Sequence, residues 1–150
     1  FVERWYRELP AIFGSGVEKI PYVETFIAAV EAAGVAHCVA SSARLEKMHM
    51  TLGQTGLLAH FRDVLFSATM VAHGKPAPDL FLHAARTMGA APADCIVIED
   101  SVAGTKAGIA AGMRVFSYHG DPFSDGEGLA DAGGILFDDM RKLAALIPLL

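Results

Sequence analysis

Two cysteines, Cys38 and Cys95, are all that this chain of 150 residues carries. That is too few for a disulfide framework, and both stand beside apolar runs where free, buried thiols are usual. Charge is scarce too: 19% of the residues are Asp, Glu, Lys or Arg and the net charge is −5. The few basic residues are scattered, which excludes a basic face for nucleic acid. No apolar run reaches the roughly 18 residues that a membrane-spanning helix needs. Phe1 begins without a charged, then apolar, then small-residue leader, so a cytoplasmic setting is expected. The initiator Met is also missing, and the chain reads as a piece of something longer. Finally, the sequence Asp-x-Asp occurs nowhere in it.

What the chain has in quantity is apolar surface. It is 53% hydrophobic with a mean hydropathy of +0.38, which argues for a buried sheet and one core. Phe1, Val2, Trp5, Tyr6 and Leu9 recur at helical spacing opposite charged residues. Pro10 ends that helix, and Gly14-Ser15-Gly16 reads as a joint, either a hinge or a surface loop. From Pro21 a repeating order sets in. Helices are expected over 22–33, 45–52, 78–88, 102–111 and 140–150, most of them stopping at Gly34, Gly53, Gly89 and Gly112. Between them lie strands over 35–40, 64–66, 96–98, 114–118 and 135–137. Strands alternating with helices make an α/β fold with a mostly parallel sheet covered on both sides.

Three strand or helix ends carry chemistry. Ile96-Val97-Ile98 is a β-branched run expected to be buried on both faces, and it ends in Glu99 and Asp100. Ser101 is placed to cap the next helix, whose positive end favours both ionised acids, and paired carboxylates suit a hard cation such as Mg²⁺. Taken alone, the pair equally fits a solvated turn. Val39-Ala40-Ser41-Ser42 brings hydroxyls to a strand-to-helix junction, where Ser41 and backbone N–H groups suit a phosphoryl oxygen, though Ser42 serves equally as a helix cap. In Gly74-Lys75-Pro76-Ala77-Pro78-Asp79 two prolines keep Lys75 and Ala77 out of the helical region, fixing the lysine in an extended segment. Hydroxyl, lysine and acid pair, in that order, are the parts that phosphoryl transfer asks for: donors and a cation on the phosphoryl oxygens, and a metal against developing charge.

These three stretches resemble the second, third and fourth motifs of the haloacid dehalogenase superfamily, in its β-phosphoglucomutase-like phosphatase branch. The resemblance covers about Pro21 to Phe116. It implies a three-layer Rossmann-like core and a Mg²⁺-dependent phosphatase acting on a small phosphate ester, with sugar phosphates foremost. It also implies roles: Ser41, with Ser42, binds the transferring phosphoryl group; Lys75 holds the nucleophile and phosphoryl charges together; Asp100 ligates Mg²⁺, with Glu99 assisting directly or through water. Residues 1–16 would be the end of a helical cap and its hinge, and 17–150 the core.

One family element is absent. The first motif, Asp-x-Asp-Gly-Thr, supplies the nucleophile from a central strand lying between the strands that end at Ser41 and Glu99. Without it the chain alone is expected to be inactive, with two strand edges left open, unless an aspartate outside these 150 residues completes it. A phosphomutase would share every core residue, and a catalytically inactive binding module is the reading if 150 residues are the natural product. The acid pair speaks against a metal-free dehalogenase, and the order of motifs against a receiver domain. Gly120-Asp121-Pro122-Phe123-Ser124-Asp125 imitates a metal-acid motif but comes one strand late, with no helix expected after it, and is assigned to a rim loop. His37, His49, His60, His73, His83 and His119 show no metal-binding spacing.

Overall fold

The computed structural model describes residues 18–147. The aromatic helix and joint expected over 1–16 lie outside them. In chain order the elements are α1 (Val23–Ala32), β1 (Val39–Ser41), α2 (Leu45–Gln54), α3 (Leu58–Phe61), β2 (Leu65–Ser67), α4 (Asp79–Met88), β3 (Ile96–Glu99), α5 (Val102–Ala110), β4 (Arg114–Tyr118), α6 (Gly126–Asp131), β5 (Ile135–Phe137) and α7 (Met140–Leu146). Short 3₁₀ turns follow β2 and precede β3.

All strand pairs are parallel, and they fall into two separate sheets. One is β1-β2, in register Val39 to Leu65; the other is β3-β4-β5, in register Ile96 to Arg114 and Phe116 to Ile135. Helices cover both faces. On one side Phe26 and Val30 of α1 and Met140 and Leu143 of α7 pack on Phe116 and Phe137; on the other, Phe81 and Ala85 of α4 and Ala107 of α5 pack on Val97 and Val115. This is a three-layer α/β core.

Helices α1 and α4 hold the two sheets together. Ile27, one residue on from Phe26, turns to Met48, Phe61 and Leu65 beside the smaller sheet, while Leu80 and Ala84 of α4 close on Phe66 of β2. Each helix therefore feeds both sheets from neighbouring positions, which the 100° step per residue allows.

Two differences between sequence and structure come from the open gap between β1 and β3. Val35 to Cys38 is not strand, because β2 reaches only Val39 and nothing pairs the residues before it. Ile98 is 41% exposed and not buried on both faces, since β3 has a neighbour on one side and the gap on the other. Other differences are local. Gly53 sits inside α2, and the chain instead turns at Gly56, whose φ of 75° is the left-handed value glycine tolerates. A helix, α6, does follow Asp125, contrary to expectation: the Asp125 carboxylate accepts from Gly128 N–H at 2.9 Å, and Leu129 is fully buried beneath it. Between α5 and β4 the buried hydroxyls of Thr105 and Ser117 satisfy each other at 2.8 Å.

Candidate active site

Backbone geometry delivers the three sequence motifs to one end of the sheets. β1 ends at Ser41 and β3 at Glu99, both at the carboxyl ends of parallel strands, the side on which open α/β sheets bind ligands. Lys75 connects them. Its ammonium donates to the carbonyl of Ala40 at 3.2 Å and pairs with the Glu99 carboxylate, and both side chains of the ion pair are about nine-tenths buried. Val39 N–H donates to Val64 in the chain leading into β2, so Ala40, next along the strand, faces its carbonyl the other way, toward the gap, where Lys75 meets it.

The loop that carries Lys75 is braced at both ends. Ala77 N–H donates to the Gly74 carbonyl at 3.0 Å, so the segment is a turn and not the extended run that its prolines predict; the Lys75–Pro76 peptide is cis. Behind it, Asp79 at the start of α4 accepts from the backbone N–H of His73 and lies 3.2 Å from its ring. The ammonium also rests 4.8 Å from the centre of the Phe81 ring. Sequence reading did not find these supports. Asp79 reads as an ordinary first-turn acid, and Phe81 is simply one residue of the expected helix.

Glu99 has no idle oxygen. Oε1 takes Lys75, and Oε2 accepts from Asp100 N–H, Ser101 N–H and the Ser101 hydroxyl at 3.1, 3.2 and 2.9 Å. A β-carbon on Gly104 would overlap this carboxylate, so glycine is what lets Glu99 lie against the first turn of α5. Ser101 caps that turn as expected, accepting from Gly104 N–H at 3.0 Å. Asp100, by contrast, is exposed at the tip.

The Ser41 hydroxyl accepts from Ala43 N–H at 3.1 Å, which holds it at the strand-to-helix junction. Ser42 is exposed and does not cap α2, which opens at Arg44 and Leu45. In the late loop, Asp121 accepts from Phe123 N–H and Asp125 caps α6, so both of its acids serve the backbone. Among the described residues no group of three or more His, Cys, Asp or Glu side chains could hold a metal. By the chemistry of its donors, this end of the sheet offers a hard cation the Asp100 carboxylate; Glu99 would have to release Lys75 or the N–H groups of Asp100 and Ser101 to serve as a direct ligand.

Cys38 and Cys95 are free and half-buried on opposite sides of the gap. Burial, and then the neighbouring Cys95, pushes the Cys38 thiol up to about 11; burial and then Asp94 raise Cys95. Neither is a ready nucleophile.

A parallel α/β core in which a buried lysine bridges two strand ends, with an acid pair at one of them, belongs to the Rossmann-like class of folds. Residues 4–112 match the haloacid dehalogenase-like hydrolase family, and the chain belongs to it. It is 38% identical over 121 residues to the 6-phosphogluconate phosphatase of Escherichia coli, covering 80% of this chain and 53% of that protein. Among solved structures it resembles a haloacid dehalogenase family hydrolase of Deinococcus radiodurans determined with bound phosphate and sodium, at 32% identity and a TM-score of 0.80, covering 87% of this chain and 59% of that one. The fold also superimposes on a putative β-phosphoglucomutase from Thermotoga maritima, with a TM-score of 0.85 at 23% identity over 97% of this chain and 67% of that one. The chain thus spans about half the length of the curated phosphatase it matches.

Proposed function

We propose that this chain is the larger part of a Mg²⁺-dependent phosphatase for a small phosphorylated metabolite, a sugar phosphate or sugar-acid phosphate. The observation that carries the reading is Lys75, held between the Ala40 carbonyl and Glu99 at the carboxyl ends of β1 and β3. A buried ammonium fixed at that point is preorganised to face an anion, and its loop, braced by Asp79, loses little entropy in doing so. Likeness to a 6-phosphogluconate phosphatase supports the substrate class.

In this reading Ser41, with Ser42 and the backbone N–H groups that follow, receives the phosphoryl oxygens at the end of β1. Lys75 neutralises charge shared between nucleophile and phosphoryl group, and Glu99 positions Lys75. Asp100 would hold Mg²⁺, which when bound supplies charge neutralisation at the phosphoryl oxygens. The attacking aspartate lies outside these 150 residues, so the chain alone turns nothing over, and residues 1–16 are the end of a substrate-selecting cap.

The test is phosphate release from a panel of sugar phosphates, with Mg²⁺, by this chain joined to the remaining length of its family's polypeptide. Lys75→Ala and Asp100→Ala should each lower kcat by about 10²-fold or more, the scale of a lost charge-stabilising contact, and Ser41→Ala by about tenfold. Rates near the unmodified protein's in Lys75→Ala or Asp100→Ala would overturn the assignment.

A further inference from the structure

At the amino-terminal end of β1, away from Ser41, three titratable side chains from three parts of the chain meet. Glu31 stands in the last turn of α1, His37 in the lead-in to β1 and His60 in α3. Glu31 Oε1 lies 2.7 Å from His60 Nδ1 and 3.8 Å from His37 Nε2. Both imidazoles pack on the Phe61 ring, with centres 5.5 and 6.3 Å from it, so their planes are set by the core beneath them. The three side chains are 28–39% exposed, open enough to exchange protons with water.

The two rings are not equivalent. A carbonyl oxygen only accepts, so His37 Nδ1, 3.0 Å from the Val35 carbonyl, carries a hydrogen. The neutral ring then has its lone pair on Nε2, the atom nearest Glu31, and two acceptors face each other. At His60 it is Nδ1 that meets the carboxylate, and it carries a hydrogen whether the ring is neutral or charged. A proton on His37 therefore turns an acceptor against an acceptor into a charged donor against a carboxylate, whereas a proton on His60 only strengthens a bond already made. The surroundings favour one added positive charge. Arg62 and Asp63 line the same cleft as the three side chains and offset each other, leaving Glu31 uncompensated, and α1 has no basic residue in its last turn to meet its negative end. Asp94 faces His37 from the turn before β3, α4 contributes only the uncharged Met88, and the raised thiols of Cys38 and Cys95 carry no charge.

We propose that Glu31, His37 and His60 form a proton-operated clasp: one proton taken from water at His37 Nε2 draws the lead-in of β1 onto the carboxylate that already binds α3, tying α1, β1 and α3 together at the root of the smaller sheet. β1 runs from this root to Ser41, so acidification steadies the strand whose far end stands in the candidate site. The inference concerns the root of the strand and holds whether or not the proposed activity does.

Two measurements on the 150-residue chain test it. The first needs no variant: nitrogen NMR of the imidazoles at about pH 8 should show His37 with its hydrogen on Nδ1, and a hydrogen on Nε2 there overturns the proposal. The second is amide exchange at Val39, whose N–H donates to the Val64 carbonyl at 3.0 Å, expressed as protection over the intrinsic rate at each pH. Between about pH 8 and about pH 5.5, across the range in which histidine gains its proton, protection should rise about threefold, the scale of a partly exposed ion pair. His37→Gln and Glu31→Gln should each abolish the rise, and His60→Gln should keep most of it. No rise in the unmodified chain, or a rise that survives in His37→Gln or Glu31→Gln, overturns the clasp. So does a rise lost in His60→Gln, since His60 would then be the ring that operates it.

Discussion

Glu99 shows how one side chain can be decided by what lies under it. Its carboxylate gathers Lys75, the N–H groups of Asp100 and Ser101 and the Ser101 hydroxyl, and it fits only because Gly104 has no β-carbon. Gly104→Ala should therefore push Glu99 off its partners and cost about 1–3 kcal/mol in urea denaturation, the usual penalty for an added methyl in a filled site. Gly53 is the control. It lies inside α2 with nothing within 4 Å of where an added methyl would sit, so Gly53→Ala should stabilise by about 0.5–1 kcal/mol, through backbone entropy alone. If both changes destabilise alike, the contact with Glu99 is not what constrains residue 104. From sequence, the Ser101 cap was legible because a capping residue leaves a local mark. The bond from Lys75 to Ala40 was not, since it joins residues 35 apart and leaves no periodic trace.

At the scale of elements, strand and helix ends were legible where a turn residue does the stopping. β4 and β5 have the predicted bounds, and Gly89 and Gly112 end α4 and α5 in left-handed conformations. α6 was not legible: its six residues include two glycines, and it forms because Asp125 caps it and Leu129 is buried. A cap also governs α7. The Asp139 carboxylate accepts from Arg141 N–H at 2.9 Å and binds the Arg141 guanidinium, and the latter contact above all holds it down to about 2. A depressed carboxyl contributes stability above its ordinary value of 3.8 and loses it as pH falls from there through about 2. Asp139→Asn keeps the capping oxygen and removes the charge. Its denaturation midpoint should lie below that of the unmodified protein at neutral pH and meet it near pH 2; a difference that is constant with pH would mean the charge contributes nothing.

For the whole molecule, the division of the sheet was expected from the missing first motif, but how the halves stay together was not. Ile27 beside Phe26, and Leu80 beside Phe81, show α1 and α4 each packing on both halves, a division of labour that a single hydrophobic period conceals. The larger half has the better-buried centre, Val115 and Phe116 at 1% and 2% exposure, whereas β1 is only partly covered. Native-state hydrogen exchange should find β4 slowest, opening only with global unfolding, and Val39 and Ala40 faster by about tenfold or more. Equal protection across both halves would show that they unfold as one unit.

The boundary in the sheet is also a boundary in the chain. Both strands of the smaller half precede α4, and all strands of the larger half follow it. Rotation of one half against the other therefore breaks no interstrand hydrogen bond and threads no loop; it asks that two helices roll over their apolar contacts and that Lys75 let go of either Ala40 or Glu99.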